Sequence, residues 1–394
     1  MKVVVLGSTG YLGEQILEVL SEEAGFKVVL LSGWQNISKL QAQISQYHVP
    51  YGFLMKQGVP VPEIPGVVFF PNRLEMEAYV LSEEVEGVFF ASAGIDFVDL
   101  FWKLLPTGKK IWMASKEIIV SVGEFVRSRF SFPELTQLIS LDSEHNAIWQ
   151  MIHGRSRSEV EKIYLTASGG SFYEWMGEMN AITPEMALSH PNWKMGTKIT
   201  VDSANLVNKG LEVMEASYLF DFPFDQIDVI VQRESVIHAL IEMRDGFIFA
   251  LLSQPDMKAV VRHALSPQER QNNRWNRLDF SLLKGLRFDY PVPERFRGFY
   301  LAREAGKRGG GYPAFFCGAD EACVRAFLLH QLQFGEIPVI LEKTLEKDIP
   351  VPGAVEDVMM IYKKGFHFAE TLIRQIDHHS LSRYQQSNEK PTFF

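Results

Sequence analysis

Cysteine is nearly absent: Cys317 and Cys323 are the only two in 394 residues. Their spacing, C-x₅-C within an apolar stretch, fits neither a zinc pattern nor a disulfide framework. The expectation is a pair of buried thiols in a reducing, cytoplasmic setting. Long apolar runs are missing too. Nothing approaches the ~20 residues that cross a bilayer, so no membrane partner is expected. The opening MKVVVL runs straight into a glycine turn, without the apolar core of a signal peptide or an arginine-rich transit segment. Blocks of positive charge are lacking as well. Lys and Arg number 39 against 48 Asp and Glu, a net of −9, and no basic stripe tracks a nucleic-acid backbone. Nucleic acid is therefore not an expected partner, and any anionic ligand must find a locally positive pocket.

What is present is material for two or three ordinary domains, at roughly 150 residues each. Residues 3–6 form a β-branched apolar run. Gly7, Ser8, Thr9, Gly10, Tyr11, Leu12 and Gly13 follow, and then a helical pattern through Ile16, Leu17 and Leu20. Strand, glycine turn and helix in that order let backbone amides approach a pyrophosphate at a helix N-terminus. The second strand, residues 28–31, ends in Ser32, Gly33, Trp34, Gln35 and Asn36. A site that binds the ribose 2′-hydroxyl of NAD usually has an acid here. Its absence favours NADP, with only Lys39 near in sequence to attract the extra phosphate. Strands at 52–55, 67–70, 87–91 and 110–113 alternate with helices opened by Asn72 and running over 97–105. This predicts a doubly wound, Rossmann-like parallel sheet.

A further strand at 138–141 ends in Asp142, Ser143, Glu144, His145 and Asn146. Ligands of open parallel sheets bind beyond the carboxyl ends of the strands, where Lys116, Asp142 and Glu144 all fall. Two carboxylates at i, i+2 make a half-site for a hard divalent cation such as magnesium or manganese. The alternative is a helix cap with a first-turn Glu. A helix at 146–153 and a strand at 161–165 lead to the small-residue turn around Ser168. The segment His190 to Ala216 reads as a loop, a short extended run at 199–201, and a helix capped by Asp202 or Ser203. On that helix Asn208, Lys209 and Glu212 share one face at i, i+3 and i, i+4 spacing. Such a face can hold a phosphate and a metal together, or it can be a solvated polar stripe. A strand at 236–243 carries His238.

The motifs LDSEHNAIWQ, LTASGGSF, HPNWKMGTKITVDSANLVNKGLEVMEA, SVIHALIEMRDG and QPDM follow a GSTGYLG start, with LDFSLLKGLRF and GGGYPAFF beyond. In this order they resemble the 1-deoxy-D-xylulose-5-phosphate reductoisomerase family over nearly the whole chain. The resemblance implies a homodimeric enzyme of non-mevalonate isoprenoid biosynthesis. It would convert its phosphosugar substrate to 2-C-methyl-D-erythritol 4-phosphate with NADPH and Mg²⁺ or Mn²⁺. It further implies Asp142, Glu144 and Glu212 as metal ligands. Ser143, Ser168, His190, Trp193, Ser203, Asn208, Lys209 and Glu212 would bind substrate, with Trp193 on a flap. Lys116, Glu144, His190 and His238 would act in catalysis. Gly7, Ser8, Thr9, Gly10, Tyr11, Leu12, Gly13, Ser32, Gly33, Asn36, Ser115, Glu117, Met195, Gly196 and Met257 would surround the cofactor.

The organisation expected is α/β: a Rossmann-like NADPH-binding domain over 1–141 and an α+β catalytic domain over 142–266. A linker over 267–293 and an all-α C-terminal helical domain over 294–394 complete it, with a frayed polar tail. Helices are expected near 299–305, 319–334, 337–345 and 355–376. The chain departs from the family pattern at Ser115, at Gln232-Arg233-Glu234 and at Cys317-Gly318-Ala319-Asp320-Glu321. Two other readings compete: a semialdehyde dehydrogenase, which needs a thiolate nucleophile, and an idle NADPH- or phosphosugar-binding sensor.

Overall fold

The computed structural model describes residues 1–56, 58–61, 63–130, 135–189, 195–267 and 277–376. His190 and Trp193 lie outside the described residues, as does the tail.

Seven parallel strands form the first sheet: β1 (Lys2–Leu6), β2 (Lys27–Gly33), β3 (Tyr51–Leu54), β4 (Val68–Phe69), β5 (Gly87–Phe90), β6 (Lys110–Met113) and β7 (Leu138–Ser140). Between them run α1 (Tyr11–Glu22), α2 (Ile37–Gln46), α3 (Arg73–Leu81), α4 (Val98–Leu104) and α5 (Lys116–Arg129). Strand order is β4-β3-β2-β1-β5-β6-β7, so the winding reverses between β1 and β5. A crevice opens at such a reversal, beyond the strands' carboxyl ends. Both faces are covered, as β-branched central strands such as Val3, Val4 and Val5 require. Asn72 caps α3 as expected, accepting from Glu75 N at 3.0 Å.

The chain continues through α6 (Ser143–Ile152), β8 (Val160–Ala167), α7 (Pro184–Ala187), α8 (Thr197–Ala204) and α9 (Val207–Phe220). Then come β9 (Ile227–Val231), β10 (Ile237–Met243), β11 (Ile248–Leu252) and α10 (Met257–Leu265). These strands build a second, mixed sheet in the order β11-β10-β8-β9. Helix α10 returns to the first sheet, packing on α1. There Arg262 binds Glu22 at 2.7 Å, and Ala264 O accepts from Trp112 Nε1 at 2.9 Å. Helices α11 (Arg297–Arg308), α12 (Tyr312–Leu328), α13 (Ile337–Leu345) and α14 (Val355–Gln375) complete the fold. Three of them fall where periodicity placed them; α12 begins seven residues before the expected 319 and ends at Leu328, so 329–334 lie outside it. One apolar core runs from Val88 and Phe90 of the parallel sheet through Val120 of α5 to Phe316 and Phe327 of α12. In the stretch read as a linker, Asp289 pairs with Val231 through two backbone hydrogen bonds, 2.7 and 3.1 Å long.

The 199–201 run differs from its reading. Ile199, Thr200 and Val201 are helical, inside α8, because burial of Val201 against the core overrides their β-branched preference. Asp202 and Ser203 therefore cap nothing. Leu206, at φ 58°, turns the chain into α9, and Asn205 Oδ1 accepts from Val207 N at 2.9 Å. Helix α9 is buried almost all round. It packs on β8, β9, α5, α8 and α11, which Gly123 and Gly210 permit: a Cβ on either would lie 2.2 Å from Tyr218 or 2.4 Å from Ala302.

Candidate active site

The glycine turn sits at the winding reversal. Gly7 has φ +89°, and a Cβ there would lie 2.7 Å from Ser92 N, so the turn can lie against the end of β5 only with glycine. Gly13 lets α1 close on that turn, since its Cβ would meet Gly7 O at 2.4 Å. The turn is anchored to β2: the amides of Gly7 and Ser8 donate to Ser32 O at 3.1 and 2.8 Å, and Ser8 Oγ donates to Gln43 Oε1 at 2.9 Å. Asn36 caps α2, accepting from Lys39 N at 3.0 Å. Lys39 itself is taken by Glu14 at 2.8 Å. The cation beside the end of β2 is instead Lys56, whose Nζ donates to Gln35 Oε1 at 2.8 Å. Sequence distance hid it, because β3 brings it there. Ser115 precedes α5 and donates from Oγ to Ser92 O. Met257 opens α10, beside α1, and Gly196 precedes α8.

Further along the same sheet edge, α5 begins with Lys116, α6 with Ser143 and Glu144, and α9 with Asn208 and Lys209 close to its start. Their side chains meet. Lys116 Nζ lies 2.8 Å from Asp142 Oδ2, 3.2 Å from Glu212 Oε1 and 2.7 Å from Asn208 Oδ1. Lys209 Nζ reaches Glu144 Oε1 at 2.6 Å and also binds Glu212. Ser143 Oγ donates to Glu144 Oε2 at 2.5 Å. Asp142, Glu144 and Glu212 each offer an oxygen within 4.8 Å of the others. Lys209 and Glu212 are almost wholly buried, which removes the solvated-stripe reading of α9. Asp142 stands at the cap position of α6 but makes no side-chain cap bond among the described residues, so the cap alternative fails for it too.

Charge explains the titration behaviour. Burial pushes Glu144 up, and the carboxylates of Glu212 and Asp142 push it further, to about 8 against the pull of Lys209. Burial alone would depress Lys116, but Asp142, Glu212 and Glu215 hold it well above its ordinary value. Lys209 is raised in the same way by Glu144 and Glu212. Behind Asp142, burial of His145 is outweighed by Glu215 and Asp142, which lift the imidazole to about 9. Its Nε2 lies 3.0 Å from Glu212 O, fixing the ring to α9.

The Ser168 turn closes another side. Gly169 and Gly170 have φ of +79° and +67°, and a Cβ on Gly170 would lie 2.5 Å from Ser203 O, so this turn presses on the end of α8. Ser168 Oγ accepts from Gly170 N at 3.1 Å. Arg233, one of the departures, donates from one nitrogen to the carbonyls of Ser168 and Gly170 at 2.7 and 3.0 Å. Its neighbour Gln232 is buried and accepts from Val236 N at 3.0 Å. His238 Nε2 lies 2.8 Å from Ser253 Oγ, and burial, opposed by a hydrogen bond to the Ser253 backbone and aided by the charge of Lys209, depresses the imidazole to about 4.

Among residues expected at the cofactor, Glu117 has its carboxylate turned elsewhere, 3.0 Å from Lys198 Nζ. Cys317 and Cys323 are buried in α12, and burial drives both thiols well above the usual range. Neither can serve as the thiolate of a semialdehyde dehydrogenase.

A glycine-turn crevice joined to a buried carboxylate and lysine cluster defines a nucleotide-dependent enzyme of the α/β class with a divalent-cation centre. Three family models match: 1-deoxy-D-xylulose 5-phosphate reductoisomerase over residues 3–123, its C-terminal domain over 138–220, and the DXP reductoisomerase C-terminal domain over 252–365. The chain belongs to the 1-deoxy-D-xylulose 5-phosphate reductoisomerase family. It is 38% identical to the Desulforamulus reducens enzyme of that name, covering 95% of this chain and 99% of the relative. Identity to the Heliobacterium modesticaldum enzyme is 38%, over 88% and 90%. A solved DOX-P reductoisomerase in complex with NADPH, fosmidomycin and magnesium superposes with a TM-score of 0.84, at 28% identity over 96% and 99% of the chains. The Zymomonas mobilis enzyme in complex with NADPH gives 0.81 at 30% identity, over 95% and 99%.

Proposed function

We propose that the carboxylate and lysine cluster at the sheet edge is where this chain converts 1-deoxy-D-xylulose 5-phosphate to 2-C-methyl-D-erythritol 4-phosphate, using NADPH and a divalent metal. The observation that carries the assignment is the meeting of Asp142, Glu144 and Glu212, from two separate stretches of chain, within 4.8 Å. Three carboxylate oxygens in a pocket this small suit an octahedral, oxygen-loving ion, so magnesium or manganese fits the donor set. When bound, the ion supplies Lewis acidity toward the sugar's ketone and hydroxyl oxygens, and NADPH supplies the hydride.

The chain's own groups do the rest. Lys116 and Lys209 remain ammonium ions through neutral pH, so they donate hydrogen bonds and balance negative charge rather than remove protons. Ser168, Ser203, Asn208 and Lys209 form the phosphate grip, with Ser143 holding Glu144. Glu144 acts as a carboxylate: protonated in the empty site, it gives up its proton when the cation binds and then holds the ion at the reacting oxygens. His238 is neutral and orients a sugar hydroxyl. For His190 beside the sugar, and Trp193 on a flap over it, the assignment rests on the resemblance of their stretch. Around Gly7 to Gly13, with Ser32, Gly33 and Asn36, the crevice takes NADPH, and Ser115, Met195, Gly196 and Met257 border the nicotinamide side, while Glu117 is drawn to Lys198 instead.

Residues 1–141, 142–266, 267–293 and 294–394 serve as nucleotide domain, catalytic domain, linker and helical domain. A homodimer is supported by β11, an open sheet edge exposing Phe247, Ile248, Phe249 and Leu252. Two unpaired, buried thiols support a cytoplasmic setting. The test is NADPH oxidation followed at the nicotinamide absorbance with deoxyxylulose phosphate, before and after chelation. Turnover that needs both substrate and metal is expected. Full turnover after thorough chelation removes the metal from the reading.

A further inference from the structure

A second buried charge cluster lies on the other side of α5's first turn. Lys198 Nζ sits 2.6 Å from Asp202 Oδ2 in its own helix α8, 2.8 Å from Asp320 Oδ2 of α12 and 3.0 Å from Glu117 Oε1 of α5. One ammonium thus joins three helices drawn from distant parts of the sequence. Helix α8 also carries Ser203, and α5 carries Lys116 next to Glu117. In a helix those successive side chains point about 100° apart, so one turn faces both clusters.

We propose that Lys198 is a positioning residue and that Asp202, Asp320 and Glu117 form around it a proton-holding clamp, which keeps Ser203 and Lys116 in register and slackens when the proton leaves. The inference rests on the reading of Ser203 and Lys116 as substrate-binding groups. Its physical basis is a count of charge. With every group ionised, three carboxylates face a single ammonium in a site where the Asp320 side chain is 0% and the Asp202 side chain 2% exposed. An uncompensated buried charge is costly enough that the carboxylates share a proton instead. Asp202 Oδ1 and Asp320 Oδ1 have no hydrogen-bond partner among the described residues, so each is a place where the proton can reside.

The titration directions agree with that placement. Burial and then Asp320 raise Asp202 to about 8, and burial raises Asp320. Burial would raise Glu117 too, but Lys198 outweighs it and keeps the carboxyl low. The groups that face the cluster are Lys116 on α5, Cys317 and Glu321 on α12, Tyr362 on α14, and Asp96 beyond Glu321. Glu321 is engaged by the Tyr362 hydroxyl. None of these supplies a second close cation to Asp202 or Asp320. As pH rises past the value for Asp202, the cluster gains a negative charge that Lys198 alone cannot balance, and the three helices lose their common tie.

The experiment compares the parent with Asp320→Asn, Lys198→Met and Ser203→Ala, measuring KM for deoxyxylulose phosphate and kcat with saturating magnesium at several pH values. In the parent, KM climbs above pH 8, by up to about tenfold per unit, because the clamped form becomes scarce. Asp320→Asn removes one carboxylate, so Asp202 can ionise without leaving a charge beyond what Lys198 already balances, and the climb in KM above pH 8 is lost while kcat at neutral pH is unchanged. Lys198→Met raises KM more than it lowers kcat, at every pH. If that variant fails to fold, the Asp320→Asn profile decides alone. Parent and Asp320→Asn profiles that coincide, with only the melting temperature altered, would overturn the clamp. Ser203→Ala separates the underlying reading: it raises KM without moving the pH profile, and a normal KM there refutes the phosphate assignment rather than the clamp.

Discussion

Lys116 and Glu117, neighbours in sequence, look into two buried clusters made from the same ingredients, lysines outnumbered by carboxylates. The Lys116 and Lys209 cluster keeps its Asp142 and Glu144 side chains 12% and 16% exposed. In the Lys198 cluster the lysine is 15% exposed but the carboxylates are withdrawn, Glu117 to 8%, Asp202 to 2% and Asp320 to 0%. Access decides how each can resolve its surplus negative charge. A cluster that opens to a crevice can take in a hydrated cation, and with it become catalytic. One whose carboxylates lie behind its lysine offers a cation no oxygen to reach and takes up a proton instead, and so becomes a joint between helices. Identical residue types thus serve chemistry in one place and architecture in the other.

The difference breaks most sharply at Glu212, which touches both lysines of the open cluster. Glu212→Gln preserves volume and removes one of the three charges proposed to hold the ion. The expected loss in kcat is on the order of 10³-fold, since stabilisation of developing charge by an ion is worth several kcal/mol. NADPH affinity, read by quenching of protein fluorescence, should stay near that of the parent because the glycine turn is untouched. A variant with parental kcat and unchanged metal dependence would reduce the open cluster to another joint.

Much of this contrast was legible in the sequence, but unevenly. The glycine turn, the strand alternation and the carboxylates leaving β7 declare themselves because local chemistry fixes them: glycine where φ is positive, β-branched runs where both sheet faces are covered. Asn208, Lys209 and Glu212 were also readable, because helical spacing alone puts them on one face. The Lys198 cluster was hidden by a single misreading. With Ile199, Thr200 and Val201 read as extended, Lys198 and Asp202 share a face but stand about 13 Å apart; in the helix they are i, i+4 partners at 2.6 Å. Asp320 could not have been found at all, since only the packing of α12 on α8 brings it there. Arg233 shows the same limit. Its grip on the Ser168 turn depends on β9 lying beside β8.

A second prediction sharpens the contrast between cation and proton. With Glu144 raised to about 8, the metal-free protein carries that carboxyl mostly protonated at neutral pH. Coordination needs the carboxylate, so a binding cation must expel the proton. Magnesium affinity should therefore rise by up to about tenfold per pH unit below that value and level off above it. Titration calorimetry near neutrality, in buffers of different ionisation enthalpy, should find about one proton released per ion, and near none in alkaline buffer. Binding without proton release at neutral pH would mean that Glu144 is already ionised, and the open cluster would need another source of neutrality.

The smallest effect concerns the other end of the crevice, where a single exposed cation is expected to read the cofactor. No acid follows β2, so a 2′-phosphate meets no repulsion there. Of the two lysines nearby, Lys39 is already bound by Glu14 at 2.8 Å, and its backbone amide is used by the Asn36 cap. Lys56 holds only the neutral amide oxygen of Gln35, an acceptor it can leave for a phosphate at little cost. Its register is fixed by the backbone bond from its amide to Trp34 O at 2.9 Å, so the side chain stays beside the β2 end. An exposed ion pair of this kind is worth about 0.5–1 kcal/mol, so Lys56→Ala should raise the KM for NADPH only about two- to fivefold. The KM for NADH, which lacks the phosphate, should not move, and the NADPH effect should shrink as salt is added. Equal shifts for both cofactors would show that Lys56 supports the fold of the crevice and does not read the phosphate.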